Sequence, residues 1–173
     1  MKNIVLTGYM ATGKSTIVKE LAKITGLEMA DTDELVEKSE GMPIAEIFEK
    51  FGEEYFRDRE SEACRIAGNM QDTVIATGGG AVLRKGNIDV LRKNVIIFNL
   101  EPDETLIIAR LSPKDNSRPL VLGSSLGQIL QRFNDRKPFY DNCDFKIYVS
   151  DEKTPYEHAQ MILEKMKESE ESL

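Results

Sequence analysis

Apolar residues along the chain fall into short β-branched runs separated by longer stretches with helical spacing. Residues 4–7 read as a buried strand. Over 15–23, Ile17, Val18, Leu21 and then Ile24 recur at three- and four-residue intervals, which predicts an amphipathic helix closed by Gly26. Residues 27–30 read as a second, less regular strand. The stretch 33–70 is mostly helical in pattern. Pro43 opens a helix carrying Ile44, Ile47 and Phe48, Phe51-Gly52 breaks it, and a longer helix follows with Phe56, Ala63, Cys64, Ala67 and Met70 on one face.

Residues 73–77 and 95–100 predict the third and fourth strands, and Pro102 reads as the opening of a helix running to about 111. Residues 112–125, with Pro113, Pro119 and Gly123 among polar neighbours, read as a mobile loop outside the core. A helix over 126–136, a strand over 145–149 and a helix from Pro155 to about 167 complete the pattern, followed by an acidic tail expected to fray. Strands separated by helices imply an α/β protein with a parallel sheet of about five strands, covered on both faces.

The chain has 173 residues, which predicts a single domain. Its net charge of −7 argues against a nucleic-acid partner and means that an anionic substrate needs concentrated arginines. Apolar runs are too short to cross a bilayer, so a cytoplasmic protein without a membrane partner is expected. Cys64 and Cys143 fit no zinc or redox spacing and read as small buried hydrophobes. The single histidine, His158, sits among polar residues and reads as exposed and without a role.

Chemistry concentrates at Gly8-Tyr9-Met10-Ala11-Thr12-Gly13-Lys14-Ser15, a G-x-x-x-x-G-K-[ST] loop between a predicted strand and a predicted helix. Polyphosphate needs several inward backbone N–H groups, a helix N-terminus and a cation; Gly8 and Gly13 permit the turns, and Lys14 reaches the terminal phosphates. Ser15 supplies a hydroxyl for Mg²⁺. Asp31-Thr32-Asp33 ends the second strand, where ligands bind in open parallel sheets. One carboxylate there can serve a metal and the other a substrate hydroxyl, or the pair can simply cap a helix. Gly78-Gly79-Gly80 leaves the backbone after the third strand bare to a ligand, and no acid stands there as in motor or switch NTPases. Arg57, Arg118 and Arg136 are the candidate anion-binding arginines.

Taken together, the set resembles the shikimate kinase family: the loop with Thr16, Asp31-Thr32-Asp33, Ile44-Ala45-Glu46-Ile47-Phe48, Phe56-Arg57 with Glu60, Gly78-Gly79-Gly80-Ala81, Arg118-Pro119-Leu120, and Arg136 with Pro138 and Tyr140. The resemblance implies a nucleoside-monophosphate-kinase-like fold with sheet order 2-3-1-4-5, a substrate-binding region over about 33–61 and a lid over about 112–124. It implies ATP and shikimate as substrates, Mg²⁺ as cofactor and a monomeric enzyme. Lys14, Asp33 and Arg118 would be catalytic, and Ser15 and Asp31 would serve the metal. Gly8, Met10, Ala11, Thr12, Gly13, Lys14, Ser15, Thr16, Arg110, Arg118 and Pro155 would bind ATP, with Arg110 and Pro155 flanking the adenine. Asp33, Arg57, Gly78, Gly79, Gly80 and Arg136 would bind shikimate. A kinase of gluconate or a nucleotide, or a nucleotide-binding module without turnover, is the competing reading. The first lacks a reason for the Asp33, Arg57, triple-glycine and Arg136 set, and the second should have lost Lys14, Asp33 or Arg118.

Overall fold

The computed structural model describes residues 2–93, 95–111 and 118–171. In chain order the elements are β1 (Asn3–Gly8), α1 (Lys14–Thr25), β2 (Glu28–Asp31), α2 (Thr32–Glu40), α3 (Ile44–Gly68), β3 (Thr73–Ala76), a 3-10 turn (Ala81–Leu83), α4 (Lys85–Leu91), β4 (Val95–Pro102), α5 (Glu104–Arg110), α6 (Leu126–Tyr140), β5 (Phe145–Val149) and α7 (Pro155–Glu171). The strands form one parallel sheet in the order β2-β3-β1-β4-β5, as expected.

Both faces of the sheet are covered, so β1 and β3 are apolar on both sides and were readable as continuous runs. Ile4, Leu6, Phe98 and Leu100 face α1 and α7, packing with Ile17, Leu21, Ile162 and Met166. The alternate residues Val5, Ile75 and Ile97 face the other way, against Cys64, Leu91, Ile129 and Phe133. A smaller cluster of Val36, Ile47, Phe56 and Ala63 joins α2 to α3. At Gly52, α3 leaves helical geometry (φ 83°, ψ 174°), so the predicted break divides it into two halves.

Several expectations need correction. Ile24 is 41% exposed, because it lies in the last turn of α1, beyond the region the sheet covers. Helix α4 was missed: it is only seven residues long, and Gly86 weakens its signal. Pro102 ends β4 and opens no helix; Asp103 caps α5, its side chain accepting from the Leu106 N–H at 2.7 Å. The strand tolerates this proline because β1 stops at the level of Leu100. Helix α6 runs past its expected end, through Pro138 to Tyr140. His158 is buried, and its Nε2 accepts from the Ser150 N–H at 3.4 Å. Cys64 is buried and Cys143 only half-buried. The tail is helical to Glu171, with Met166 in the core. Of the expected lid, 112–117 lie outside the described residues; the rest is a turn that buries Val121 completely, so part of it belongs to the core. Among the described residues, no helix is long and apolar enough to cross a membrane.

Candidate active site

The loop between β1 and α1 has the backbone its glycines allow. Gly13 adopts φ 88°, which turns the chain into the helix. Gly8 meets a closer limit, since a Cβ there would sit 2.8 Å from the Leu100 carbonyl. Ala11 is also left-handed (φ 63°), and Arg110 Nη1 holds its carbonyl at 3.0 Å. Such a conformation costs a non-glycine residue about 1–2 kcal/mol. Thr12 is buried and braces the turn, its hydroxyl donating to the Tyr9 carbonyl at 2.9 Å. Lys14 is folded under the loop, where Nζ donates to the carbonyls of Gly8 (2.6 Å) and Tyr9 (2.9 Å). Burial pulls the Lys14 ammonium down to about 8, against the opposing pull of Asp33 and Asp31.

Asp31 caps α2: Oδ1 accepts from the Asp33 N–H at 2.8 Å, while Oδ2 accepts from the Ser15 hydroxyl at 2.8 Å. Capping and ligand service are thus compatible in one carboxylate. The two oxygen donors Ser15 and Asp31 suit Mg²⁺, which prefers hard ligands and keeps room for phosphate and water. Among the described residues no group of three or more acidic, histidine or cysteine side chains is placed to hold a metal ion.

The three glycines after β3 each admit a different group. A Cβ on Gly78 would lie 2.5 Å from Asp33 Oδ1 and 2.8 Å from Glu60 Oε1. One on Gly79 would lie 3.2 Å from the Met10 nitrogen, and one on Gly80 would lie 2.6 Å from Arg57 Cζ. None of the three needs a positive φ, so close approach is what they provide. The Gly78 N–H is anchored on the Thr32 hydroxyl at 2.8 Å, which ties the end of β3 to α2.

Arg57 is buried and donates to Glu60 Oε2 at 2.7 Å and to Glu53 Oε1 at 3.2 Å. Glu60 appeared in the sequence motif without a role; here it holds the arginine. Arg136 is 6% exposed, lies over the Tyr9 ring at 5.8 Å, and has no carboxylate partner among the described residues. Glu60 interacts with the Arg136 charge but pairs directly with Arg57, so an anionic ligand would give Arg136 a direct partner.

These groups line two hollows. The first, about 400 Å³, is walled by the loop residues Met10, Ala11, Gly13, Lys14, Ser15 and Thr16, with Asp31, Arg110 and Arg118. The second, about 150 Å³, has Arg57, Glu60, Arg136 and Gly80 around it, with Ile44, Phe48 and Phe56 as an apolar wall. Met10, Asp33, Gly79 and Arg118 border both. Asp33 therefore stands at the junction. Burial first, then the charges of Asp31 and Glu60, push its carboxyl up to about 7, with Lys14 and Arg57 opposing. Its Oδ1, like Glu60 Oε1, is buried with no hydrogen-bond partner among the described residues.

At the outer rim of the first hollow, Arg110 donates to Asp151 Oδ1 through Nη2 at 2.5 Å and joins the phosphate loop to the turn before α7. Pro155 is the exposed first residue of α7 and borders neither hollow. The expected site residues therefore converge, except that Pro155 stands apart, Gly8 and Thr12 act from beneath the loop, and Gly78 touches Asp33 and Glu60 without bordering either hollow. The geometry allows in-line transfer of a phosphoryl group from the first hollow to a hydroxyl in the second.

Comparisons with known proteins agree with this arrangement. A family model described as shikimate kinase matches residues 10–167. A shikimate kinase of Caldanaerobacter subterraneus subsp. tengcongensis is 46% identical over 164 residues, covering 94% of this chain and 95% of that one. One from Thermodesulfovibrio yellowstonii is 42% identical over 163 residues, covering 94% of each. The solved structure of a shikimate kinase from Acinetobacter baumannii in complex with shikimate superposes with a TM-score of 0.91 at 32% identity, covering 98% of this chain and 94% of that one.

Proposed function

The chain belongs to the shikimate kinase family and phosphorylates shikimate with ATP, and from that premise we propose how its own residues divide the work. The product is shikimate 3-phosphate, an intermediate of aromatic amino acid biosynthesis. ATP occupies the first hollow with its phosphates on the loop around Lys14, and shikimate occupies the second. The observation that carries this assignment is Arg136, a buried cation with no carboxylate partner among the described residues, facing a hollow of about 150 Å³. Two buried arginines beside an apolar wall suit a ring acid.

Arg136 and Arg57 pair with the substrate carboxylate, which suits the fork geometry of guanidinium. Gly79 and Gly80 present bare backbone to the ring hydroxyls. Asp33 accepts a hydrogen bond from the 3-hydroxyl and orients it toward the γ-phosphorus. Lys14 and Arg118 balance charge on the transferring group. Ser15 and Asp31 would hold Mg²⁺, which supplies charge neutralisation on the phosphates. Adenine would lie near Arg110 and Pro155. The same reading takes the enzyme as a cytoplasmic monomer.

A coupled assay of ADP release tests the reading directly: turnover with shikimate and Mg²⁺ is expected, and none when either is withheld. Turnover with gluconate or a nucleoside monophosphate in place of shikimate would replace the assignment. Arg136→Ala is expected to raise the shikimate KM by about a hundredfold, the scale of a lost charge-assisted pair, with the ATP KM nearly unaltered. Equal damage to both KM values would refute the carboxylate role.

The pH profile follows from the two shifted groups. Asp33 serves only when ionised, so kcat/KM rises with pH through about 7. Lys14 serves only when charged, so in the free enzyme kcat/KM for ATP falls as pH passes about 8. A narrow bell between those limbs is expected from initial rates at low ATP, and a flat profile from pH 5 to 9 would contradict both assignments.

A further inference from the structure

Tyr140 is a buried phenol at the end of α6, four residues beyond Arg136 and one turn along the same helix. It sits there because α6 continues through Pro138, so the helix reaches one turn further than its sequence advertises. Its hydroxyl donates to the Gly79 carbonyl at 2.5 Å, across 61 residues of chain. Burial raises the phenol, and Arg136 beside it opposes that rise, so the group stays a protonated donor at neutral pH. The hydroxyl thus ties the glycine segment to the helix that carries Arg136.

The peptide between Gly79 and Gly80 is trans, so its C=O and N–H point in opposite directions. Anchoring the Gly79 carbonyl on Tyr140 therefore fixes where the Gly80 N–H points. That N–H has no acceptor among the described residues, and Gly80 borders the second hollow. On the far side of Gly80 the Arg57 guanidinium approaches so closely that no Cβ would fit. Turn bonds flank this peptide, from the Ala81 N–H to the Gly78 carbonyl at 3.1 Å and from the Leu83 N–H to the Gly80 carbonyl at 3.0 Å, and the Tyr140 hydroxyl is the side-chain group that holds the Gly79 carbonyl between them.

We propose that Tyr140 is a positioning residue for the acid-binding hollow: its hydroxyl sets the Gly79–Gly80 peptide and keeps Arg136 in register with the Gly80 N–H. Tyr140 contacts the substrate only through these partners. The inference rests on the reading that this hollow holds shikimate.

The test is Tyr140→Phe, which keeps the ring in its apolar packing and removes one oxygen. The shikimate KM is expected to rise about tenfold, while the ATP KM and kcat stay within about twofold of wild type. An unchanged shikimate KM, with or without a fall in melting temperature, would overturn the proposal by leaving the hydroxyl a purely structural role. Equal increases in both KM values would also overturn it. Wild-type enzyme that fails to turn over shikimate would sink the functional reading and this inference together, whereas an active wild type beside an indifferent variant sinks the inference alone.

Discussion

Asp33→Asn is expected to lower kcat by two to three orders of magnitude and, above pH 7, to raise the melting temperature. The loss in rate is the scale expected when a positioned acceptor at the reacting hydroxyl is removed. The gain in stability follows from the same burial. In the fold the carboxyl is pushed from its ordinary 3.8 to about 7, so ionising it costs the native state more than the unfolded chain. Below pH 4 the group is protonated in both states and costs nothing. The cost grows through the interval up to about 7 and is complete above it. Asparagine never ionises, and its amide N–H can satisfy Glu60 Oε1, which points at the same spot beside Gly78. Thermal melts of both proteins at pH 5 and pH 8, beside initial rates, decide the matter. Near-normal turnover in the variant would remove Asp33 from the reaction; a lower melting temperature at pH 8 would show that its charge is favourable where it lies.

Lys14→Ala is expected to lower kcat by two or more orders of magnitude if, as proposed, the ammonium balances charge that develops during transfer. ADP binding is expected to weaken much less, since the backbone N–H groups of the loop and the start of α1 remain. There is a structural component as well. Lys14 ties the carbonyls of Gly8 and Tyr9 from below, so its removal loosens the loop. Nucleotide must draw the ammonium away from those carbonyls before it can act on phosphate. Calorimetric ADP titration separates the two effects: affinity within about tenfold of wild type beside a collapsed kcat assigns Lys14 to the transfer step. A parallel collapse of both would assign it to holding the loop.

The centre of the sheet was legible because β1, β3 and β4 are buried on both faces and are mainly apolar, whereas the edge strands β2 and β5 are partly exposed. What escaped was short or masked by local preference. Helix α4 offers only Ile88, Val90 and Leu91 after a glycine, too little periodicity to detect. Pro138 argued for the end of α6, yet the helix carries it in its final turn and stops two residues later. His158 looked solvated among polar neighbours, but it is buried and hydrogen-bonded to the turn before α7.

Site residues in contiguous motifs were readable, since Gly8 to Ser15 carries its own logic of phosphate binding. Partnerships across the chain were not. That Gly78, Gly79 and Gly80 admit three different groups depends on where α3, the phosphate loop and α2 come together. The burial of Arg136 without an acid likewise depends on packing that no local pattern records.

The break at Gly52 leaves α3 as two rods with separate duties. Ile44 and Phe48, which form the apolar wall, ride on the first; Arg57, proposed to bind the acid, and Glu60, which holds that arginine, ride on the second. The two are not independent, because Phe48 packs on Phe56 across the break with ring centroids 4.8 Å apart, and the Arg57 guanidinium lies over that same Phe56 ring. A change that reshapes the wall for another ring is therefore expected to reach the guanidinium as well, so substrate shape and charge recognition are coupled through one aromatic pair.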